Sequence, residues 1–475
     1  MNTEFEAVIG LEIHFQLNTA TKLFCRCRSS HDAVPNTNVC PVCMGLPGAL
    51  PVLNMEAVKK GIGIVRVLNG KIHSRSRFYR KNYFYPDLPK GYQITQYEAS
   101  LGTDGYVIIK IDNFEKKIRI ERMNLEEEAA RSIHVKTGDV LLDYNRSGIP
   151  LLEVTTYPDM RSPREARIFL EKLRNMVLYI GASGCDMEKG EMRVDANISV
   201  RKKHSAGYGV RVELKNLNSI KAVEDALTYE YTRHVENIKK GIPIEKETRL
   251  WDEFKGETRS MRRKEESHDY RFFPEPDLPE LILSEEFIKD VVESLPEMPD
   301  ERANRYVNMG LPVFYVETII RDRAMADYFD KVVSELNSPQ KVAKILVNEL
   351  AGLVRKKGHN FQSFPLKPED FAKLLMLQEE GKINRNQMFL IINRFLEGKG
   401  TLSELVDSFS ANKVDFVLED VVKEAISEGQ DLVEKYRDGK TGVIGALIGI
   451  VMKKTKGRAD PKEVRKLLLK FIEEG

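Results

Sequence analysis

The stretch FEAVIGLEIHFQL, residues 5–17, has an apolar side chain at every odd-numbered position. Glu12, His14 and Gln16 occupy even positions in its second half. Successive side chains of a strand point to opposite faces of the sheet, so this period of two predicts a strand that is buried on one face. The other face then carries an acid and a histidine that point the same way.

Further alternating segments lie at residues 193–201 and 210–215, and Asp112-Asn113 separates two more strand patterns in a hairpin arrangement. Helical patterns lie between these strands. Together they predict an α+β fold, with residues 1–292 forming an N-terminal domain built on an antiparallel sheet with helices.

Strand patterns disappear beyond this domain. Residues 293–400 are predicted to form an all-α helical domain, and residues 401–475 a small helical tail. The boundaries are placed at Leu295-Pro296-Glu297-Met298-Pro299 and, less sharply, at Gly398-Lys399-Gly400, because proline and glycine clusters interrupt helices.

Composition narrows the class of protein. The 475 residues are too many for one core, and a net charge of +2 gives no global field that would attract a nucleic acid. The longest apolar run, residues 443–452, is shorter than the ~20 residues that cross a bilayer, so we expect no membrane partner. Acids near the N-terminus are untypical of a secretion signal, and a cytoplasmic protein is expected.

Four of the five cysteines form two close pairs, Cys25-x-Cys27 and Cys40-x-x-Cys43. Pairs at this separation allow four thiolates to reach one tetrahedral ion, as in zinc knuckles and ribbons. We therefore predict a structural zinc site, with four reduced thiols and no metal as the alternative. Cys185 stands apart and is expected to be an ordinary buried residue.

Acids recur on the predicted strands. Glu153 interrupts an apolar run, Asp195 and Glu213 lie in alternating segments, and Glu126-Glu127-Glu128 follows a strand pattern. Each acid by itself is typical of a solvated sheet face. If the strands share one sheet, these acids converge with His14, and crowded carboxylates favour a hard cation such as Mg²⁺.

Standard nucleotide-binding motifs are absent from the sequence. Gly439-Lys440-Thr441 lacks the upstream glycine of a P-loop, because that position is Glu434. Any ATP must therefore bind at another kind of site. A separate segment, Arg77–Tyr85, contains five aromatic and three basic side chains, which suit either base stacking or ordinary core packing.

The C-terminal tail is locally basic. Residues 440–470 contain nine Lys or Arg and two acids, a net charge of +7, and they include Lys453, Lys454, Lys456 and Arg458. This bias is typical both of a surface that contacts a phosphate backbone and of a solvated helical face.

Eight long stretches, spread over the whole chain, match one family. They are VIGLEIH (8–14), CPVCMGLPGALP (40–51), KNYFYPDLPKGYQITQ (81–96), DYNRSGIPLLEV (143–154), DANISVR (195–201), VELKNLNS (212–219), HDYRFFPEPDLP (268–279) and TGVIGALIGIVMKKTKGRADP (441–461). On these stretches the chain resembles the B subunit of the glutamyl-tRNA(Gln)/aspartyl-tRNA(Asn) amidotransferases, the GatB family. One stretch departs: the family pattern Glu-Glu-Asp-Ala-Gly-Lys is here Glu-Glu-Glu-Ala-Ala-Arg, residues 126–131.

The resemblance implies a cradle domain for the kinase and transamidase chemistry and a helical domain. It also implies a tRNA-binding tail that is similar to the YqeY family. It also implies an ATP-dependent ligase. ATP phosphorylates the side-chain carboxylate of a tRNA mischarged with glutamate or aspartate, and ammonia displaces the phosphate. Glutamine supplies the ammonia in a partner amidase, the A subunit of the complex, and a small C subunit completes a heterotrimer.

The resemblance also implies roles for particular residues. Those expected to handle magnesium and phosphate are Glu12, His14, Glu127, Glu153, Asp195 and Glu213. Lys81 and Lys90 are expected along the ammonia passage or at its mouth, with surface ion pairs as the alternative. The tail bases named above are expected to contact tRNA. A hypothesis of another class stays open: a zinc-bearing, tRNA-binding module without an active site of its own.

Overall fold

The alternating N-terminal stretch forms β1 (Phe5–Gln16), the middle strand of a nine-stranded sheet. The structure, a computed structural model, describes residues 4–30, 33–112, 114–135, 137–205, 207–263, 270–410, 418–455, 459 and 461–474. The chain divides into two compact units, Met1–Met298 and Pro299–Gly475. The first unit contains the sheet and the second is helical, which confirms the predicted α+β class.

The remaining described strands all belong to the first unit. In chain order they are β2 (Lys71–Ile72), β3 (Arg75–Ser76), β4 (Phe78–Asn82), β5 (Tyr92–Gln96), β6 (Gly102–Ile111), β7 (Phe114–Glu127), β8 (Arg131–His134), β9 (Val140–Asp143), β10 (Pro150–Thr156), β11 (Met192–Lys202), β12 (Val212–Leu217), β13 (Glu247–Asp252), β14 (Glu257–Arg263), β15 (Phe273–Pro274) and β16 (Leu281–Ile282). The strand order of the main sheet is β14-β13-β12-β11-β1-β10-β7-β6-β2. Smaller sheets pair β15-β4-β5, β16-β3 and β8-β9.

The described strand pairs of the main sheet are antiparallel except for β12 and β13, which run parallel. This one pair differs from the otherwise antiparallel arrangement. The reason is a helix, Ile220–Lys239, that follows β12 and returns the chain to the start of the next strand, as a parallel connection requires. The hairpin predicted at Asp112-Asn113 is confirmed as β6 and β7.

Helices pack against one face of the sheet. Those of the first unit are α1 (Met55–Val67), α2 (Pro163–Tyr179), α3 (Ile220–Lys239) and α4 (Glu285–Glu293). Side chains of Asn54, Ser162 and Ser219 accept hydrogen bonds from backbone N–H groups at the starts of α1, α2 and α3, which satisfies donors that a helix leaves unpaired. The odd-numbered residues of β1 from Phe5 to Phe15 are buried in the core that these elements form.

The second unit begins with α5 at Pro299, slightly beyond the predicted boundary, because α4 still packs against α1. Its described helices are α5 (Pro299–Asn308), α6 (Val313–Ile320), α7 (Arg323–Leu336), α8 (Pro339–Ile345), α9 (Ala351–Lys356), α10 (Pro368–Glu379), α11 (Arg385–Leu396), α12 (Leu402–Ser410), α13 (Leu418–Glu428), α14 (Gln430–Arg437), α15 (Ile444–Lys454) and α16 (Pro461–Glu474). It contains two apolar clusters, one drawn from residues 306–405 and one from residues 422–472. Among the described residues, no helix is long and apolar enough to cross a membrane.

Candidate active site

The face of the sheet opposite the helices carries a row of polar side chains. His14 on β1 lies opposite Glu153 on β10, and Glu153 lies opposite Asn124 on β7. One step along the strands, Glu12 lies opposite Asp195 on β11. Residues directly opposite each other in antiparallel strands share a face, so β1 and its neighbours bring these five side chains to one side of the sheet.

Distances define a compact cluster around His14. Its Nε2 lies 3.4 Å from Glu126 Oε1 and 3.7 Å from Glu12 Oε1. One ligand atom each of Glu12, His14 and Glu153 lies within 4.8 Å of the other two. The predicted association of these three residues is therefore present in the structure.

Burial and mutual repulsion alter the acidity of this cluster. Burial, then the charge of Glu153, raises the pKa of Glu126 to about 7 despite the opposing effect of His14. The same two causes raise the pKa of Glu12. Burial alone would lower the pKa of His14, but the surrounding carboxylates, Glu126 first, outweigh it and raise that pKa. Such crowding is relieved when a cation binds.

A second group of charges lies on the neighbouring strands. Lys215 on β12 forms an ion pair with Asp195, and its Nζ lies 3.4 Å from Glu213 Oε1. Thr248 donates a hydrogen bond of 2.7 Å to Glu213. Asp195 and Glu213 are thus joined through a lysine that the sequence analysis did not select.

Glu127 does not lie with these residues. On β7, Glu126 has the same parity as Asn124 and faces the cluster, whereas Glu127 points to the other side of the strand. There Glu127 forms an ion pair with Lys90 and accepts a hydrogen bond of 2.9 Å from the backbone N–H of Ile94. This corrects the predicted placement of Glu127; extending the period of two from Asn124 would have selected Glu126.

The donors of the cluster fit a divalent cation. Three carboxylates and an imidazole are close together, and oxygen-rich sets of this kind suit Mg²⁺ or Mn²⁺. Asn124, only 4% exposed, adds a buried Oδ1 that has no hydrogen-bond partner among the described residues. A buried carbonyl oxygen without a partner is costly, and a bound cation would satisfy it.

The four predicted cysteines also converge. Their Sγ atoms all lie within 4.8 Å of one another, and those of Cys40 and Cys43 are 3.9 Å apart. Tetrahedral zinc with Zn–S bonds of ~2.3 Å requires sulfur atoms roughly 3.8 Å apart. No disulfide joins the described cysteines, and Cys185 is buried apart from the set, as predicted.

The environment of Cys43 favours its thiolate, whereas hydrogen bonding to Cys43 and burial raise the pKa of Cys25. A hydrogen bond from Cys25 is the largest of the effects that lower the pKa of Cys43 to about 4, and a backbone N–H and the charge of Lys22 assist against burial. Lys22 is fully buried, with its Nζ 3.6 Å from Cys43 Sγ. A buried ammonium next to four thiols suits a site that carries excess negative charge when a metal is bound.

The other predicted residues are dispersed. Lys90 and Glu127 line a cavity of about 200 Å³ that Cys25 and Cys43 also line. Lys81 Nζ lies over the ring of Tyr270, 5.0 Å from its centroid. In the tail, Lys453 is exposed and Lys454 Nζ is 3.2 Å from Glu424, while Lys456 and Arg458 lie outside the described residues.

Fold and site together define a component of an enzyme, with polar residues that converge on the open face of a mainly antiparallel sheet and with a separate helical unit. Residues 7–289 match the family described as the GatB/GatE catalytic domain, and residues 327–472 match the GatB domain. The B subunit of the aspartyl/glutamyl-tRNA(Asn/Gln) amidotransferase of Thermodesulfovibrio yellowstonii is 43% identical over 474 residues, which cover 99% of this chain and 100% of that protein. The B subunit of the same name from Thermotoga maritima is 42% identical over 478 residues, which cover 99% of each chain. The chain belongs to the GatB family, as its motifs predicted.

The raised pKa of Glu126 leads us to predict how the stability of the protein depends on pH when a chelator keeps it free of metal. Because folding raises this pKa from 4.5 to about 7, the folded state binds more protons than the unfolded state in that interval, and stability falls as pH rises through it. Glu126→Gln removes this penalty, so it should raise the melting temperature at pH 8 and change it little at pH 5, with roughly 2–4 °C gained per kcal/mol. Thermal unfolding at both pH values measures this. The exposed Glu121→Gln on the same strand is the control, and an equal gain at both pH values would contradict the assignment.

Proposed function

We propose that this chain is the B subunit of a glutamine-dependent tRNA amidotransferase, an ATP-dependent ligase that forms carbon–nitrogen bonds. It converts Glu-tRNA(Gln) to Gln-tRNA(Gln), Asp-tRNA(Asn) to Asn-tRNA(Asn), or both. The convergence of Glu12, His14, Glu126 and Glu153 on one sheet face carries this proposal, in a chain that is similar to subunits of that name over 99% of its length. It acts in the cytoplasm, where aminoacyl-tRNA is used, in a heterotrimer with an amidase as the A subunit and a small C subunit.

The reaction needs an activated carboxylate, since oxide is not a usable leaving group. Phosphorylation by ATP makes phosphate the leaving group, and ammonia then attacks the carbonyl carbon. Phosphoryl transfer depends mainly on positioning and on neutralisation of charge. The open sheet face supports both requirements with side chains fixed in place: Thr95 holds Glu126 and Thr155 holds Glu153 by hydrogen bonds of 2.9 and 2.8 Å.

Magnesium is the cation that we assign to this face. When bound, it would neutralise phosphate oxygens during transfer. The residues assigned to it are Glu12, His14, Asn124, Glu126 and Glu153, with Asp195 and Glu213 on the adjacent strands. Glu127 is assigned instead to the ammonia passage, because it pairs with Lys90 on the other side of β7.

Replacing Glu153 by Gln tests the active site. The variant should lose tRNA-dependent ATP cleavage by at least about 100-fold, because it removes a charge that holds the cation, and glutaminase activity of the partner with free glutamine should remain. The control is Glu6→Gln, which lies on the same face of β1 about 26 Å along the strand from His14, the residue opposite Glu153, and pairs with Arg201. Normal ATP cleavage by the Glu153 variant would favour the alternative, a tRNA-binding module without an active site.

Zinc is the metal that we assign to Cys25, Cys27, Cys40 and Cys43. A site closed by four thiolates has no open position for a substrate, so its role is structural. Lys22, which also donates a 3.0 Å hydrogen bond to Asn38 O, ties the site to the loop between the two cysteine pairs.

Cys40→Ser tests the zinc assignment. Protein purified without chelator should contain one zinc per chain, and the variant should contain little and unfold at a lower temperature. Metal analysis and thermal unfolding measure the two effects. Cys185→Ala, a buried cysteine outside the set, should keep its zinc, and wild-type protein without zinc would refute the assignment.

Ammonia released in the partner amidase must reach the acid cluster without escaping to water. We assign the pair Lys90 and Glu127 to this passage, because Lys90 has only 8% of its side chain exposed and Glu127 is adjacent in sequence to Glu126 of the cluster. Lys81 acts electrostatically on Glu12 and Glu126 and is assigned to the end of the passage nearer the cluster.

Lys90→Met should uncouple the two activities of the complex. Amidation driven by glutamine should fall at least about tenfold, and amidation driven by free ammonium should continue, since ammonium does not need the passage. Lys116→Met is the control, because Lys116 also forms a partly buried ion pair, with Glu165, elsewhere in the unit. Equal losses with both nitrogen donors would assign Lys90 to catalysis or folding instead.

The helical tail is assigned to tRNA. Gly445 and Gly449 lie exposed on α15, and a Cβ added at either would meet no atom of the described residues within 4 Å. The glycines therefore leave space for a ribose-phosphate backbone next to the exposed Lys453. Lys454 contributes less, because Glu424 and Glu428 already neutralise it.

Gly445→Gln and Lys453→Glu should each weaken tRNA binding several-fold, by obstruction and by repulsion, and Lys453→Glu should also lower the salt dependence of binding. Neither should lower the melting temperature. Gly352→Gln on α9 is a matched control, since an added Cβ there also meets nothing within 4 Å. Unchanged affinity in both tail variants would leave the basic segment as a solvated helical face.

A further inference from the structure

One arginine on the face that carries the acid cluster is positioned to bind an anion. Arg122 on β7 lies opposite Thr155 on β10, and Thr155 lies opposite Glu12 on β1. The three residues form a row across adjacent strands, so Arg122 and Glu12 share a face at a separation of about 10 Å between their backbones. Both also line one cavity of about 380 Å³.

Arg122 has no carboxylate within 4.0 Å among the described residues, and its Nε is buried without a hydrogen-bond partner there. Other arginines of this sheet are paired: Arg193 with Glu128, Arg201 with Glu6, and Arg119 with Asp159. A buried N–H without an acceptor is destabilising, so this arrangement is unfavourable unless a ligand supplies the acceptor.

The part of the cavity that is lined by Arg122 and Arg211 suits a phosphate group. Arg122, Arg211 and Asn197 line the cavity and provide guanidinium and amide donors, whereas Glu12 and Glu121 add carboxylates to the same lining. Carboxylates alone would repel a phosphate group. A cation held by the acid cluster would neutralise the phosphate oxygens nearest the cluster and leave the others without a counter-charge. A guanidinium on the opposite side can donate two parallel N–H bonds to phosphate oxygens.

We propose that Arg122 binds the γ-phosphoryl group of ATP while it passes to the side-chain carboxylate of the aminoacyl-tRNA. A carboxylate oxygen forms the new bond to the γ-phosphorus, the bond from that phosphorus to the β–γ bridging oxygen breaks, and ADP leaves with the electron pair. Arg122 stays protonated and donates N–H bonds to the equatorial oxygens, where charge is concentrated during transfer. This inference rests on the proposed function, because it needs ATP at this face.

The test compares nucleotides that differ in the γ-phosphate. The assembled complex is prepared with Arg122→Gln, with Arg122→Lys and with Arg119→Gln, which changes a solvent-exposed arginine on the same strand. Binding of Mg²⁺-ADP and of the non-hydrolysable β,γ-imido analogue of ATP is measured, along with amidation driven by free ammonium.

Arg122→Gln should weaken binding of the ATP analogue by about 10- to 100-fold and leave ADP binding within about twofold, since only the former has the γ-phosphate. Arg122→Lys should recover part of the loss, and Arg119→Gln should behave as wild type. Melting temperature should not fall in Arg122→Gln, because no described partner is lost; a purely structural role would lower it.

The proposal would be overturned if Arg122→Gln weakened the binding of both nucleotides equally. It would also be overturned if that variant bound both nucleotides as wild type does and had normal turnover. If wild-type complex itself binds neither nucleotide, the proposed function fails, and this is a different result from a defect confined to the variants. If Arg122→Gln does not fold, Arg122→Lys decides: unchanged binding and turnover in that variant would overturn the bidentate contact.

Discussion

Burial of one face of the main sheet is the constraint on which the rest of the structure depends. In the middle strand β1, the odd-numbered side chains pack into the core with α1, α2 and α3. Each fully buried Leu, Ile or Phe contributes about 1.5–3 kcal/mol of transfer free energy. A slip of one residue in register would expose these side chains and bury Glu12 and His14. The hydrophobic core therefore determines which side chains face the open side.

That open face carries an electrostatic cost. Glu12, Glu126 and Glu153 are held near one another around His14, and burial first, then repulsion from Glu153, raises the pKa values of Glu12 and Glu126. Threonine hydrogen bonds to Glu126 and Glu153 keep the carboxylates from turning away. Because the apolar face of the sheet stabilises the fold, the fold can keep these carboxylates close together despite their repulsion. Carboxylates that are already fixed in place bind a cation with little reorganisation.

Three consecutive glutamates on and after β7 show how strongly the strand period separates roles. Glu126 lies beside His14, Glu127 pairs with Lys90 on the other side, and Glu128 pairs with Arg193. Each carboxylate is almost fully buried and each has a different cationic or histidine partner. Three consecutive carboxylates thus have three different roles: one belongs to the acid cluster, one to the candidate passage and one to a structural ion pair.

The sequence by itself determined the strand and helix patterns, the mixed class of the fold, the four-cysteine set and, through its long motifs, the family. These are properties of local period and spacing: the odd positions of β1 and the pairs Cys25–Cys27 and Cys40–Cys43 can be read without knowing what lies next to them. Only the tertiary structure decided that Glu126 and not Glu127 joins His14, and that Asn124 and Arg122 lie in the same rows as Glu153 and Glu12. Those relations depend on cross-strand register between segments separated by many residues, and register is set by how the buried face packs, which no local pattern specifies.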